Sequence, residues 1–252
     1  MISNELVEFL PWDSDFFACR IGRAAAGHYD GQRFTSLLAA CRQLELDCLY
    51  LLVAAGDPDT SRLAECHGLR LADIRVTMEC RLPTTAPHPW QPANKNIRPA
   101  RPEDIPRLRP MAAANHRDSR FYQDPHFPRD RCDELYATWI EKSCRGYAEE
   151  VLTFEKGGEA AGYISCHLPA PGVGQIGLVG VDSAWQGGGI GSQLLAESLR
   201  WFASQGVIRV EVVTQGCNIA AQRLYQKQGF LVLRQEIWFH GWLERSTGAC
   251  LP

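Results

Sequence analysis

The sequence predicts an α/β fold: a mixed β-sheet flanked by helices, preceded by a smaller N-terminal α/β domain. Three observations carry this. Apolar strand-like runs alternate with helical patterns from residue 97 to about 245. A glycine-rich loop, Gln186-Gly-Gly-Gly-Ile-Gly191, joins one such run to a helix. Between Pro83 and Pro92 lie four prolines in ten residues, which suppress helix and sheet alike and read as a stiff extended linker. The expected organisation is therefore an N-terminal domain over 1–82, a linker over 83–96 and a second domain over 97–245.

In the second domain, Ile97-Arg-Pro starts a strand, and Glu103-Asp104 place acids in the first turn of a helix ending near Ala114. A polar loop from Asn115 to Pro128 leads to a helix from about Arg129 to Arg145, with Leu135, Trp139 and Ile140 as its apolar stripe. Val151–Phe154 and Ala161–Cys166 flank Lys156-Gly-Gly158 and read as a hairpin. A strand follows over Gln175–Asp182, with its apolar run from Ile176 to Val181. After the glycine loop comes a helix over 192–205, with Leu195, Leu199 and Phe202 on one face. Val207–Thr214 is β-branched and alternating, hence a strand. Ile219–Gln228 reads as a helix stopped by Gly229, and Phe230–Phe239 as the last strand. The N-terminal region echoes this ending. Leu49–Val53, Gly56, Leu63 and Gly68-Leu69 can be laid over Val210–Thr214, Gly216, Leu224 and Gly229-Phe230. That suggests a degenerate partial copy, and because it has no Gln-x-x-Gly-x-Gly it should not bind the same ligand.

A strand, a glycine loop and a helix start together make an anion trap. Backbone N–H groups converge there, the helix dipole favours negative charge, and the absence of Cβ atoms lets phosphates approach. No lysine follows the glycines, which excludes a Walker loop, and the spacing misses the Rossmann fingerprint. Gln186-x-x-Gly189-x-Gly191, with Asn218-x-x-Ala-x-x-x-Tyr225-x-x-x-Gly229-Phe230 downstream, resembles the GNAT family of acetyl-CoA-dependent N-acetyltransferases. The resemblance implies a GNAT-like sheet and acetyl-CoA as cosubstrate. It implies that Leu178, Val179, Gly180 and Val181 line the cofactor, and that Gln186, Gly187, Gly188, Gly189, Ile190 and Gly191 hold its pyrophosphate. Asn218 and Tyr225 would stand near the acetyl thioester.

Direct acyl transfer to an amine needs oxyanion stabilisation and a proton for the leaving thiolate, but no side-chain nucleophile. A backbone N–H among Val179, Gly180 and Val181 is the expected oxyanion donor, and Tyr225 the expected general acid. Gly177 and Gly180 would weaken an ordinary strand, so a bulge or a close approach is expected there. Many GNATs carry a carboxylate on this strand, but Ile176–Val181 contains none. Asp182 falls late, where it would cap or turn. Glu211, Glu149 and His167 remain open as bases, as does loss of the amine proton through water alone.

The stretch Ser119-Arg-Phe121 and the helix with Tyr136 and Trp139 resemble the branch of the family that acetylates TDP-linked 4-amino-6-deoxysugars. Arg117, Arg120, Arg129 and Arg131 could meet a diphosphate, and Phe121, Tyr122 and Phe127 could face a base or sugar. The expected substrate residues are thus Arg120 and Phe121. The alternatives are a protein N-terminus, a lysine, a small amine metabolite, or a non-catalytic acyl-CoA binder.

A net charge of −3 and a pI of about 6.2 give no footprint for nucleic acid or anionic membrane. No apolar run is long enough to span a bilayer. The ten cysteines lack Cys-x-x-Cys spacing, and Cys48, Cys166 and Cys217 read as small buried hydrophobes of a reducing cytoplasm. No metal site is expected. A homodimer is compatible with the sequence.

Overall fold

The structure, a computed structural model, describes residues 5–83 and 94–243. Most of the proline-rich linker and the tail past Arg245 therefore lie outside the described residues. Two compact units are formed, one from Met1–Arg75, Gln123–Phe127 and Gln235–Pro252, the other from Val76–Tyr122 and Pro128–Arg234.

The elements of the first unit open with β1 (Val7–Phe9), α1 (Pro11–Phe17), β2 (Ile21–Ala24) and α2 (Gly31–Gln43). Then come β3 (Cys48–Ala54), α3 (Pro58–Cys66) and β4 (Arg70–Arg81), within which the unit boundary falls. The strand order is β1-β2-β3-β10-β4, where β10 is Leu231–Trp242. The end of the chain thus pairs antiparallel with β3, from Glu236 opposite Ala54 to Trp242 opposite Cys48. α2 packs Phe34, Leu37 and Cys41 on Leu49, Leu51 and Val53 of β3. Each such side chain withdrawn from water contributes about 1.5–3 kcal/mol before entropy is charged.

The second unit continues with β5 (Ile97–Pro99), α4 (Ile105–Asn115), α5 (Arg120–Gln123) and α6 (Arg129–Lys142). β6 (Glu150–Lys156), β7 (Glu159–Ala170), β8 (Val173–Val181), α7 (Ile190–Ser204), β9 (Arg209–Gln215) and α8 (Ile219–Lys227) complete it. Its strands run β4-β9-β8-β7-β6-β5, with the β5–β6, β6–β7 and β7–β8 pairs antiparallel and the β8–β9 pair parallel. This is a mixed sheet flanked by helices, as the sequence predicts. The expected stripe of α7 is realised: Leu195, Leu199 and Phe202 are fully buried against Ile164, Cys166, Ile176, Val210 and Val212. α6 stops at Lys142, short of Arg145, because the chain unwinds through a wide turn in which Gly146 takes φ 100°.

The internal echo is sharper in three dimensions than in sequence. β3, α3 and β4 begin at Cys48, Pro58 and Arg70, and β9, α8 and β10 begin at Arg209, Ile219 and Leu231, each 161 positions on. The paired elements also match in length, at 7, 9 and 12 residues. Asp57 caps α3 through the amide of Thr60, just as Asn218 caps α8 through that of Ala221. Gly68 (φ 79°) and Gly229 (φ 86°) end the two helices in the left-handed region. Ala64 stands where α8 carries Tyr225.

Candidate active site

The site is built where β8 and β9 part. They pair from Val173 opposite Arg209 to Ile176 opposite Val212, and no further, although both strands continue. On its other edge β8 meets β7 with a shift of register: Ile164 faces Val179 but Cys166 faces Ile176. Gly177 and Leu178 therefore share one partner, Ser165, in a β-bulge. Ser165 Oγ accepts a hydrogen bond from the displaced Leu178 amide at 2.8 Å. Beyond the bulge the alternation is regular. The amide of Asp182 donates to Ala161 O in β7 at 3.0 Å, so the amides of Val181 and Val179 point the other way, into the opening. That of Val181 reaches Asn115 Oδ1 at 3.4 Å.

The two glycines expected to mark a bulge or close approach do so for separate reasons. A Cβ on Gly177 would lie 2.5 Å from His167 Nε2 and 2.8 Å from Ser165 Oγ. One on Gly180 would lie 2.5 Å from the ring of Tyr163.

After β8 the chain makes one 3-10 turn, Ser183–Trp185, with Asp182 accepting from the amide of Ala184 at 3.0 Å. Gln186 Nε2 donates to Val181 O at 3.0 Å and to Asn115 Oδ1 at 3.3 Å, which ties the loop to the strand end. Gly187 and Gly189 both take φ 79°, where a Cβ is strained. α7 starts at Ile190 with no side-chain cap, leaving the amides of its first turn to a ligand or solvent. Gly191 is different. A Cβ there would make only ordinary contact, 3.5 Å from Leu224. Neither backbone nor neighbours demand glycine at 191, which fits a cradle kept bare for a phosphate-bearing ligand.

Asn218 Oδ1 accepts from the Ala221 amide at 3.0 Å, and Gln222 Nε2 bonds the carbonyls of Gln215 and Gly216 at 3.0 Å each, fixing the turn between β9 and α8. Tyr225 packs on Phe230, 5.7 Å between centroids, in the cluster with Ile190 and Leu194 to which Val179 and Val181 also belong. Among the described residues none hydrogen-bonds its hydroxyl, and burial pushes the phenol up from its ordinary value. The group is a phenol, not a phenolate, at neutral pH.

Ile164 and Cys166 of β7 face α7, so Tyr163, Ser165 and His167 line the opposite face. Tyr163 is fully buried and its hydroxyl lies 3.0 Å from His116 Nε2. His116 stacks on Tyr136, and burial pushes its imidazole down to about 4, so it is neutral. Sequence reasoning passed over Asn115, His116, Tyr163 and Ser165. Their only signal was the period of two along β7 and their place at the end of α4.

Several expectations need correction. Phe121 is 3% exposed and packs edge-on against Trp139, so its ring serves the core and offers no face to a sugar. Phe127 is equally buried, against Phe17 at 4.5 Å. Tyr122 donates to Asp133 at 2.5 Å. Arg120 lies over the Phe121 ring at 4.3 Å, and Arg117 remains largely exposed, 3.8 Å from Asp133. Cys217 is exposed, because it sits on the turn after β9 and not within the strand, whereas Cys48 and Cys166 are buried.

Residues 112–230 match the acetyltransferase (GNAT) family. The spore coat polysaccharide biosynthesis protein SpsD of Bacillus subtilis is 28% identical over 144 residues, covering 57% of this chain and 50% of that protein. The dTDP-fucosamine acetyltransferase of Escherichia coli is 31% identical over 143 residues, covering 56% and 61%. The mycothiol acetyltransferase of Amycolatopsis mediterranei is 40% identical over 108 residues, covering 40% and 34%. The chain thus spans less than two thirds of the length of each. Among solved structures, a GCN5-related N-acetyltransferase from Sphaerobacter thermophilus aligns with TM-score 0.67 at 18% identity, over 93% of this chain and 75% of that one. A tandem GNAT protein from the clavulanic acid biosynthesis pathway aligns with TM-score 0.59 at 15% identity, over 90% and 76%. No helix among the described residues is long and apolar enough to cross a membrane. The parted strands, the bulge and the bare glycine loop all lie within residues 112–230, the stretch that matches an acetyltransferase domain of the GNAT family.

Proposed function

We propose that the protein is an acetyl-CoA-dependent N-acetyltransferase acting by direct attack of an acceptor amine on the thioester. The observation that carries this is the uncapped start of α7 behind glycines whose bareness at Gly191 no neighbour requires. In this reading the amides of the Gln186–Gly191 loop take the pyrophosphate, Leu178–Val181 line the pantetheine, and Asn218 stands beside it. The Val179 amide, turned into the opening, meets the developing oxyanion, worth about 3 kcal/mol for such a donor. Tyr225 gives its proton to the departing thiolate. The first unit takes no CoA, since its counterpart of α8 has Ala64 in place of the tyrosine.

For the acceptor we propose a nucleotide-linked aminosugar of the TDP-4-amino-4,6-dideoxyhexose class. Support comes from the similarity to dTDP-fucosamine acetyltransferase and from two cations at the start of α5, the exposed Arg117 and the half-buried Arg120. With Phe121 sequestered, Arg120 carries the expectation for this segment, as a partner for diphosphate. The similarity to mycothiol acetyltransferase supports a second reading, a small amine metabolite. Purified protein with acetyl-CoA and each amine class separates the two by amine-dependent thiol release.

A further inference from the structure

The acceptor amine must lose a proton before it attacks, and β8 offers no carboxylate to take it. The other candidates are committed. Glu149 accepts from the Leu168 amide at 2.9 Å, and Glu211 pairs with Arg209 at 3.2 Å. His116 is spent on Tyr163. His167 differs in where its ring lies. It projects from β7 on the face opposite Tyr225, opposite Gln175 in register, and its Nε2 occupies the space that a side chain on Gly177 would fill. Gly177 is the first residue of β8 beyond its pairing with β9, so the imidazole sits where the strands part. It is half-buried, with Tyr147 edge-on at 5.6 Å.

We infer that His167 is the base that takes the ammonium proton of the acceptor, reaching over the side-chain-free Gly177 from the neighbouring strand; this rests on the acetyl-transfer reading above. The groups facing it are Ser165 Oγ, the backbone of Tyr147 and the carboxylate of Glu149. Burial lowers its affinity for a proton, while Glu149 and the Tyr147 backbone bond act the other way, so the ring starts neutral and its cation has a partner. The ammonium N–H breaks and the proton goes to Nε2. The amine lone pair forms the C–N bond, and the tetrahedral intermediate collapses with cleavage of C–S. The thiolate takes the Tyr225 proton, the second nitrogen proton restores Tyr225, and His167 releases its own to water. Acid and base then lie on opposite faces of the sheet, with the thioester in the opening between them.

The test uses the full chain and whichever amine the wild type acetylates, with kcat/KM measured against pH and acetyl-CoA affinity by calorimetry. His167→Gln should lose about 10²- to 10⁴-fold in kcat/KM and lose the acidic limb of the pH profile. Acetyl-CoA affinity should stay within about twofold. In His167→Gly, added imidazole should restore part of the rate. Gly177→Ala, which pushes the ring aside, should resemble His167→Gln. An unchanged rate and limb in His167→Gln would overturn the assignment, as would a loss shared by acetyl-CoA affinity without imidazole rescue. If His167→Gln does not fold, nitrogen NMR of the wild type decides: a limb that tracks the His167 titration supports the inference, and one that does not overturns it. Failure of the wild type to acetylate any amine would instead remove the transferase reading, and is seen before any variant is made.

Discussion

Gly180 lies under the ring of Tyr163, where a Cβ would stand 2.5 Å from the ring edge. The ring cannot swing clear, since it is fully buried and its hydroxyl is held by His116. Gly180→Ala should therefore cost about 1–3 kcal/mol, the usual penalty of overpacking. The urea midpoint should fall with an unchanged slope. An alanine variant as stable as the wild type would show that β8 is looser than this contact requires.

The loop glycines separate fold from ligand binding. Gly191→Ala adds a methyl at ordinary contact distance from Leu224 and should leave thermal stability within a degree or two of wild type. Its acetyl-CoA affinity should fall by tenfold or more if the cradle is bare for phosphate. Gly189→Ala should lose affinity and also about 1–2 kcal/mol of stability, because φ 79° is strained for a residue with Cβ. Equal affinity in Gly191→Ala and wild type would place the pyrophosphate elsewhere.

Tyr225→Phe keeps the packing on Phe230 and removes the proton. We expect kcat to drop about 10²- to 10⁴-fold with acetyl-CoA affinity unchanged. Stopped-flow turnover and calorimetry on the same sample check both halves. Wild-type kcat in this variant would take the tyrosine out of the chemistry.

Asp124 holds together its own unit. Its carboxylate accepts from His240 Nδ1 at 2.7 Å, Trp242 Nε1 at 2.8 Å and the His126 amide at 3.0 Å. Burial opposes its charge, but these bonds outweigh burial and hold the carboxyl well below the usual carboxylate range. A depressed folded value means that the stabilisation is full above the unfolded value near 4 and is lost as pH falls toward the folded one. Asp124→Asn should cost about 3 kcal/mol at pH 7 and flatten the loss of stability below pH 4. Acid titrations of both proteins followed by circular dichroism would reveal it; parallel curves would argue against this role.

How much of this was legible in the sequence depends on the range of the interaction. α7 was readable because Leu195, Leu199 and Phe202 recur at the helical period and all face one core. The loop was readable because the left-handed backbone at Gly187 and Gly189 leaves a residue-type trace, and the α8 start because Asn218 is a capping side chain. α1 leaves little trace. It has seven residues, its N-cap is Leu10, and no side chain caps it. The pairing of Trp242 with Cys48 joins β10 to β3 across most of the sequence, which no local pattern encodes. The Tyr163-Ser165-His167 row was visible as alternation, but its relation to Gly177 and Gly180 depends on a one-residue bulge that only the register reveals. Phe121 misled because an aromatic among arginines reads as a binding surface until its packing on Trp139 is seen.

The most direct test of the central claim is thiol release from acetyl-CoA against TDP- and UDP-linked aminosugars, with peptides and simple amines beside them. We expect saturable, amine-dependent release with a TDP-linked 4-amino-6-deoxysugar and much weaker release with peptides. Turnover confined to peptides or simple amines would contradict the sugar assignment, and bound acetyl-CoA with no turnover of any amine would contradict the transferase itself.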